Sequence, residues 1–179
     1  MNGVLQLTRR GKMKLNDNAQ PKGRLKIYAK DENGMFQLLH DDSNVICDQF
    51  RINLAQLVYD DGNCDLMDNL TPARIKFDGE GSQTAADGTE LVAMPSPQDR
   101  VDNPSDSNYY VQDITDKEIT EQPNIIKVHL HIVKEDANDK TLSRAMLESI
   151  NGEPIAVKCF ESILKKETWE LYFDWSIAF

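Results

Sequence analysis

The stretch that decides the fold is Trp169-Glu170-Leu171-Tyr172-Phe173-Asp174-Trp175-Ser176-Ile177-Ala178-Phe179. Its odd-numbered positions are all large and apolar, six side chains in total, and the positions between them are Glu, Tyr, Asp, Ser and Ala. This period of two predicts a β-strand with one face against a core, because successive side chains of a strand point to opposite faces. Burying these side chains is worth on the order of 10 kcal/mol before conformational entropy is counted. We therefore expect a central core strand with its odd positions, from Trp169 to Phe179, facing inward.

Besides the returning strand of the hairpin described below, four other segments are predicted to be strands. Residues 23–30 and 126–132 alternate in the same way, residues 155–164 are mostly apolar, and residues 74–77 lead into a glycine-rich turn. The first of these is followed by Asp31-Glu32-Asn33-Gly34, where Asn-Gly supplies the positive φ angles of a tight hairpin.

Beyond this hairpin the pattern changes. Residues 35–39 are expected to return as a strand, and residues 41–44 to interrupt it. From residue 48 to residue 60 the apolar positions follow a helical period, with Asp48 as the cap. A second, shorter helix is predicted over residues 141–149. The apolar positions assigned to these two helices are Phe50, Leu54, Leu57 and Val58, and Leu142, Ala145 and Met146.

Several short strands and few helices favour a mainly β fold, an antiparallel β-sandwich of the jelly-roll type with one or two short helices. The 179 residues divide into a basic, extended N-terminal arm over residues 1–22 and a single sandwich domain over residues 23–179. Residues 93–113 are rich in Pro, Ser, Asp and Asn and are expected to form a long surface loop. Loops of this length usually contact a partner or carry a function.

Charge is distributed unevenly along the chain. The formal net charge is -10, yet residues 1–30 carry +7 and the remaining 149 residues carry -17. An acidic body argues against nucleic-acid binding, whose footprint is a basic surface. No apolar run approaches the ~20 residues that span a bilayer, and the Met1 end lacks the apolar stretch of a signal peptide. The basic arm is expected to fold onto its own domain or to reach an acidic surface of a neighbouring subunit; nucleic-acid binding, the third alternative, is disfavoured because the arm lacks interleaved aromatic residues. Its candidate partner-binding residues are Arg9, Arg10, Lys12 and Lys14.

No motif predicts a catalytic, cofactor-binding or metal site. His129 and His131 share one strand face without a third histidine nearby, which is typical of an amphipathic strand. The acidic run over residues 60–68 lacks calcium-loop spacing, and Gly79-Glu80-Gly81-Ser82 lacks the Lys of a phosphate cradle. A Gly-x-Ser-x-Gly elbow is also missing from the sequence. The cysteines, Cys47, Cys64 and Cys159, are odd in number and form no Cys-x-x-Cys pair, which indicates a reducing compartment.

The order of several short motifs resembles a group of small virion proteins of tailed bacteriophages. That group has a strand, a helix with Asn and small residues, an Ile-x-Phe-Gly-x-Gly turn, an Asp-Thr-x-Leu step and a closing Trp-x-Ile-x-Phe strand. The matching stretches, within residues 24–179, are Asn44-Val45-Ile46, Asn53-Leu54-Ala55-Gln56-Leu57, Ile75-Lys76-Phe77-Asp78-Gly79-Glu80-Gly81, Thr84-Ala85-Ala86, Asp87-Gly88-Thr89-Glu90-Leu91, Asn151-Gly152, Ala156-Val157-Lys158-Cys159-Phe160 with Ile163, and Leu171–Phe179. This chain departs from the pattern at Asp78, where Gly is usual, and at Arg144-Ala145-Met146-Leu147, where an acidic residue precedes a small-Gly-Leu step.

The resemblance implies a non-enzymatic virion protein, assembled in the host cytoplasm, without a cofactor. Its expected partners are major capsid or tail proteins and other copies of itself, with no nucleic acid or membrane. The first expectation is a capsid decoration or cement protein that binds neighbouring subunits through its arm and loops. The alternatives are a tail, neck or baseplate adaptor and a carbohydrate-binding module. Tyr109 and Tyr110, in the long loop, are candidate partner-binding residues in any of these roles.

Overall fold

The computed structural model describes residues 21–59, 64–114, 116–119 and 124–179. These residues form eleven strands, one α-helix and a short 3₁₀ helix at Cys64–Asn69. In chain order the elements are β1 (Lys22–Lys30), β2 (Phe36–Ile46), α1 (Asp48–Tyr59), β3 (Pro72–Asp78), β4 (Ser82–Thr84), β5 (Glu90–Val92), β6 (Tyr110–Asp113), β7 (Asp116–Ile119), β8 (Ile125–Ile132), β9 (Thr141–Ser149), β10 (Pro154–Leu164) and β11 (Glu170–Ala178). The helix of α1 is not long and apolar enough to span a membrane.

Nine of the strands form one antiparallel sheet in the order β6-β3-β9-β10-β2-β1-β11-β8-β7. The sheet curls, and the amide Nε2 of Gln112 on β6 donates to the carbonyl of His131 on β8 at 2.8 Å. The hairpin of β4 and β5 is separate and lies against β10, where the Ser82 hydroxyl donates to the carbonyl of Phe160. The expectation of a mainly β, sandwich-like antiparallel fold is therefore confirmed.

The closing strand β11 lies inside this sheet, between β1 and β8. Leu171, Phe173, Trp175 and Ile177 are buried, as the alternation predicts. Trp169 is only half-buried. The prediction that Phe179 is a core residue is wrong, because 43% of its surface is exposed. The strand ends at Ala178, so the last ring lies at the open end of the sheet.

Strand β2 is longer than its sequence suggests. The break expected over residues 41–44 is wrong, since this polar run continues β2 and pairs with β1. Ion pairs on the solvent side accommodate the charges: Arg24 contacts Asp41 at 2.5 Å, and Lys158 contacts Asp42 at 2.7 Å. The turn before β2 is the one expected, with Gly34 at a φ of 79°.

The helix α1 is confirmed, but its inward face differs from the expected one. Phe50 and Asn53 are buried, whereas Val58 is 75% exposed. Val58 lies in the last turn of the helix, and the described residues leave most of it uncovered.

The second predicted helix, over residues 141–149, is wrong. This segment is β9, which pairs with β3 on one side and β10 on the other. Nearly all of its side chains are buried whichever way they point. A strand covered on both faces loses its period of two, and its apolar run then resembles a helical pattern.

Candidate interaction surface

The outer face of β2, β1, β11 and β8 carries a row of ring and apolar side chains. Register places Leu38 opposite Tyr28, Tyr28 opposite Tyr172, and Tyr172 opposite His131. The Phe36 ring lies beside the row, with its centroid 5.3 Å from that of Tyr172. We call these five side chains the aromatic row. Phe36 is 60% exposed and Leu38 is 51% exposed.

Alternation along the strands explains why the row faces outward. Leu25 and Ile27 of β1 and Leu171 and Phe173 of β11 point into the core, so the residues between them point to solvent. Tyr28 and Tyr172 occupy such outward positions. The row is therefore the back of the same strands that build the core.

Glu170 orders the centre of the row. Its carboxylate accepts from the Tyr172 hydroxyl at 2.6 Å and from His131 Nε2 at 2.9 Å, and Lys30 Nζ lies 3.5 Å away. The rings of His131 and Tyr172 are stacked, with centroids 4.3 Å apart and planes at 9°. The hydrogen bond from Tyr172 lowers the pKa of Glu170, while burial and that bond raise the pKa of Tyr172 to about 12. The carboxylate thus stays ionised and the phenol stays protonated at neutral pH, which keeps the rings in fixed positions.

His129 lies farther along the same face. Its Nδ1 is 2.7 Å from a carboxylate oxygen of Asp174. Each of the two histidines of β8 thus faces a carboxylate of β11, an arrangement typical of the polar side of an amphipathic strand. Carboxylates, imidazoles and rings at fixed positions can bind another surface, and they include no activated nucleophile.

The candidate Tyr110 is part of the body of the protein. It begins β6, its ring centroid is 6.1 Å from that of Phe77, and its hydroxyl donates to Gln112. Burial raises the pKa of Tyr110 to about 12. Tyr109 is half-buried immediately before this strand. The structure does not bring either tyrosine into the aromatic row, and their partner-binding role stays a prediction.

The predicted long loop also lies against the body. Its irregular part ends before β6, Val101 within it is fully buried, and Asp102 forms a 2.7 Å ion pair with Lys76. Lys140 donates to the carbonyl of Ser107 at 2.6 Å. The loop is therefore a shaped surface, held at several points along its length.

Arg9, Arg10, Lys12 and Lys14 lie outside the described residues, so their role also stays a prediction. The same holds for Asp60, Asp61, Gly62 and Asn63, the beginning of the acidic run.

A second polar cluster surrounds Arg144. Carboxylate oxygens of Asp78, Glu80 and Asp106 lie within 4.8 Å of one another. Arg144 Nε donates to both oxygens of Asp78 at 3.0 and 3.1 Å, and its Nη2 donates to Glu80 at 2.8 Å. The guanidinium supplies the positive charge that a cation would otherwise provide. The cluster is therefore held together by the ion pairs of Arg144 with Asp78 and Glu80.

Sequence reasoning missed the outward role of Phe36 and Leu38. The run Met35-Phe36-Gln37-Leu38-Leu39 has apolar residues at both parities, so it does not indicate which face is buried. The usable signal was Tyr172, which the alternation of the closing strand places opposite the core.

A comparison of the chain with protein-family models, with curated proteins and with solved structures finds no match in any of the three. A function for the chain therefore has to come from its surface and its chemistry.

Proposed function

We propose that the chain is a non-enzymatic structural protein that docks onto another protein through the aromatic row, and that it serves as a decoration or cement protein of a bacteriophage capsid. The docking half of the proposal is carried by one observation: two neighbouring large apolar side chains, Phe36 and Leu38, are each more than half exposed beside ordered rings. The capsid half is supported by the resemblance of the motif order to tailed-phage virion proteins.

Exposed apolar side chains are common when they are scattered, but clustered ones mark interaction sites. Protein interfaces are enriched in aromatic residues that are surrounded by polar groups. Here Lys30, Glu170 and His131 provide such a polar border around Phe36. Because hydrogen bonds already hold the Tyr172 and His131 rings, little of their side-chain entropy would be lost on docking.

A carbohydrate-binding role fits this surface less well. A sugar ring packs on an open aromatic face, as cations and other rings do. Tyr172, at the centre of the row, already stacks on His131 and has Phe36 beside it. The face of Tyr172 that stacks on His131 is therefore not open to a sugar ring.

The test compares full-length variants in cosedimentation with phage particles that lack this protein. The double variant Phe36→Ser/Leu38→Ser should bind at least ~10-fold more weakly, because it removes the two exposed anchors of the row. Val58→Ser is the matched control, since Val58 is more exposed than either anchor and lies on α1. Circular dichroism should give the same thermal midpoint for all three proteins. Wild-type binding by the double variant would contradict a docking role for the row.

The capsid and tail alternatives differ in stoichiometry. Quantitative mass spectrometry of purified virions should find hundreds of copies per particle for a decoration protein, and a handful to a few dozen for a tail, neck or baseplate adaptor. Absence of the chain from virions would overturn the virion role, and binding to a glycan array would favour the carbohydrate alternative.

A further inference from the structure

A pocket of about 410 Å³ lies where α1 and the 3₁₀ helix meet the start of β3 and the strands β7 and β8. We call it the end pocket. Its apolar wall consists of Phe50, Leu54, Met67, Leu70, Ile126 and Phe179. The volume is within the ~300–1,000 Å³ of small-molecule pockets. No carboxylate side chain occurs among the described residues that line it, although the chain has 30 Asp and Glu residues.

The wall of the end pocket is ordered but incompletely covered by the described residues. Met67 and Phe179 are each exposed over almost half of their surface. The Phe179 ring lies beside that of Phe50, with centroids 6.1 Å apart, and the Phe179 N–H donates to the carbonyl of Asn124 at 2.9 Å. An apolar occupant that removed this concave surface from water would therefore bind favourably.

Lys117 provides the single charged side chain among the residues that line the end pocket. It pairs with Val128, which is fully buried, and directly paired residues of an antiparallel sheet point to the same face. Lys117 thus extends from β7 on the core side, at the exposed mouth of the pocket, and its Nζ donates to the carbonyl of Pro72 at 2.6 Å. A carbonyl is neutral and takes one of the ammonium's donors, so the positive charge and further donors remain for a ligand.

These features together match an amphipathic anion. An aliphatic chain suits the apolar wall because it has no polar group that would be buried without a hydrogen bond. A carboxylate at one end of that chain suits the ammonium at the mouth, since hydrogen bonds between two charged groups are the strong ones. A cationic head group would meet Lys117 without a carboxylate side chain nearby to offset the repulsion.

We propose that the end pocket binds a free fatty acid, with its chain against Phe50, Leu54 and Met67 and its carboxylate on Lys117. The end pocket shares no residue with the aromatic row. The proposal therefore does not depend on docking to a capsid or to any other protein.

Isothermal titration calorimetry of the full-length protein tests the site, with dodecanoate below its micelle concentration as the probe. We expect one saturable site per chain. Dodecyltrimethylammonium has a similar chain and a cationic head, and it should not compete with dodecanoate. Absence of saturable binding would overturn the proposal, and so would effective competition by the cation.

The head-group contact is tested by Lys117→Met, which keeps the aliphatic stem and removes the ammonium. Its affinity for dodecanoate should fall about 5-fold, the upper end of what an exposed ion pair contributes. Lys140→Met is the matched control, because Lys140 also donates to a backbone carbonyl, that of Ser107, but does not line the end pocket. Equal affinities of the two variants would overturn the placement of the carboxylate on Lys117.

The chain site is tested by Met67→Asp, which places a carboxylate in the apolar wall and should lower the affinity for dodecanoate at least ~10-fold. Met94→Asp adds the same charge at an almost fully exposed methionine outside the end pocket and should bind like the wild type. Equal thermal midpoints by circular dichroism would show that both variants are folded. Unchanged binding by Met67→Asp would overturn the proposal.

The variant Phe36→Ser/Leu38→Ser separates this proposal from the docking role of the aromatic row. It should bind dodecanoate with wild-type affinity, because neither residue lines the end pocket. Loss of dodecanoate binding in this variant would place the fatty acid on the aromatic row and would overturn the proposal.

Discussion

Arg144 and Asp78 show how this core holds a charge. Asp78 is fully buried at the end of β3, and register places it directly opposite Arg144 on β9. The carboxylate at one position is neutralised by the guanidinium at the other.

Removing one partner of this ion pair should be costly. Arg144→Met should lower the free energy of unfolding by about 3–5 kcal/mol, because it leaves the carboxylate of Asp78 buried without a counter-charge. The double variant Asp78→Asn/Arg144→Met should recover part of the loss, since the amide carries no charge. Urea denaturation of the three proteins measures both effects. A double variant no more stable than Arg144→Met would show that the buried charge is not the cause.

This ion pair could not be predicted from the sequence. Asp78 and Arg144 are 66 residues apart, and neither has a local pattern that indicates burial. Only the register of β3 on β9 brings them together.

At the scale of elements, the turn between β3 and β4 depends on its close approach to the backbone of β9. Gly81 donates its N–H to the Ser143 hydroxyl at 2.9 Å, and a Cβ on it would lie 1.9 Å from the carbonyl oxygen of Ser143. That oxygen belongs to the backbone of β9 and cannot rotate away. The glycine is therefore needed for packing.

We expect Gly81→Ala to destabilise the protein by about 3 kcal/mol, because the turn before β4 would have to move away from β9. Gly34→Ala is the matched control: Gly34 has a φ of 79° with nothing within 4 Å of the added Cβ. It should cost only about 1 kcal/mol, the strain of a left-handed alanine. Thermal or urea unfolding measures both. Equal losses would contradict the close approach at Gly81.

Elements with one buried face were predictable, and those with two were not. β1, β8 and β11 alternate because solvent covers their outer sides. β9 shows no such alternation, and its apolar run was interpreted as a helix. In β2 the polar residues 41–44 suggested a break, because the sequence does not show the ion-pair partners that accommodate their charges. Those partners, Arg24 and Lys158, lie on other strands.

At the scale of the whole molecule, the curled sheet joins distant parts of the chain into one core. Cys47 follows β2 directly, and Cys159 lies in the middle of β10. Both are buried, and burial raises the pKa of Cys47 to about 12 and that of Cys159 to about 11. Since the thiolate is the reactive form, neither thiol should be reactive in the native protein.

Thiol labelling followed by peptide mass spectrometry tests this expectation. Cys47 and Cys159 should resist iodoacetamide in the native state and become reactive together, at the denaturant concentration where the tryptophan fluorescence changes. Labelling of Cys47 at a lower concentration would mean that the junction of β2 with α1 unfolds separately. Labelling of either residue in the native protein would contradict its burial.

The sequence by itself determined the mainly β class, the hairpin at Gly34, the helix from Asp48, and the inward face of β11. Each depends on neighbours within a few residues, whose periodicity follows from one buried face and one hydrated face. Tertiary structure alone decided that β9 is a strand, that Phe36 joins Tyr172 and His131 in one row, and that Phe50, Lys117 and Phe179 line one pocket. These features depend on register between strands far apart in the chain, and register is set by how the whole sheet packs and curls.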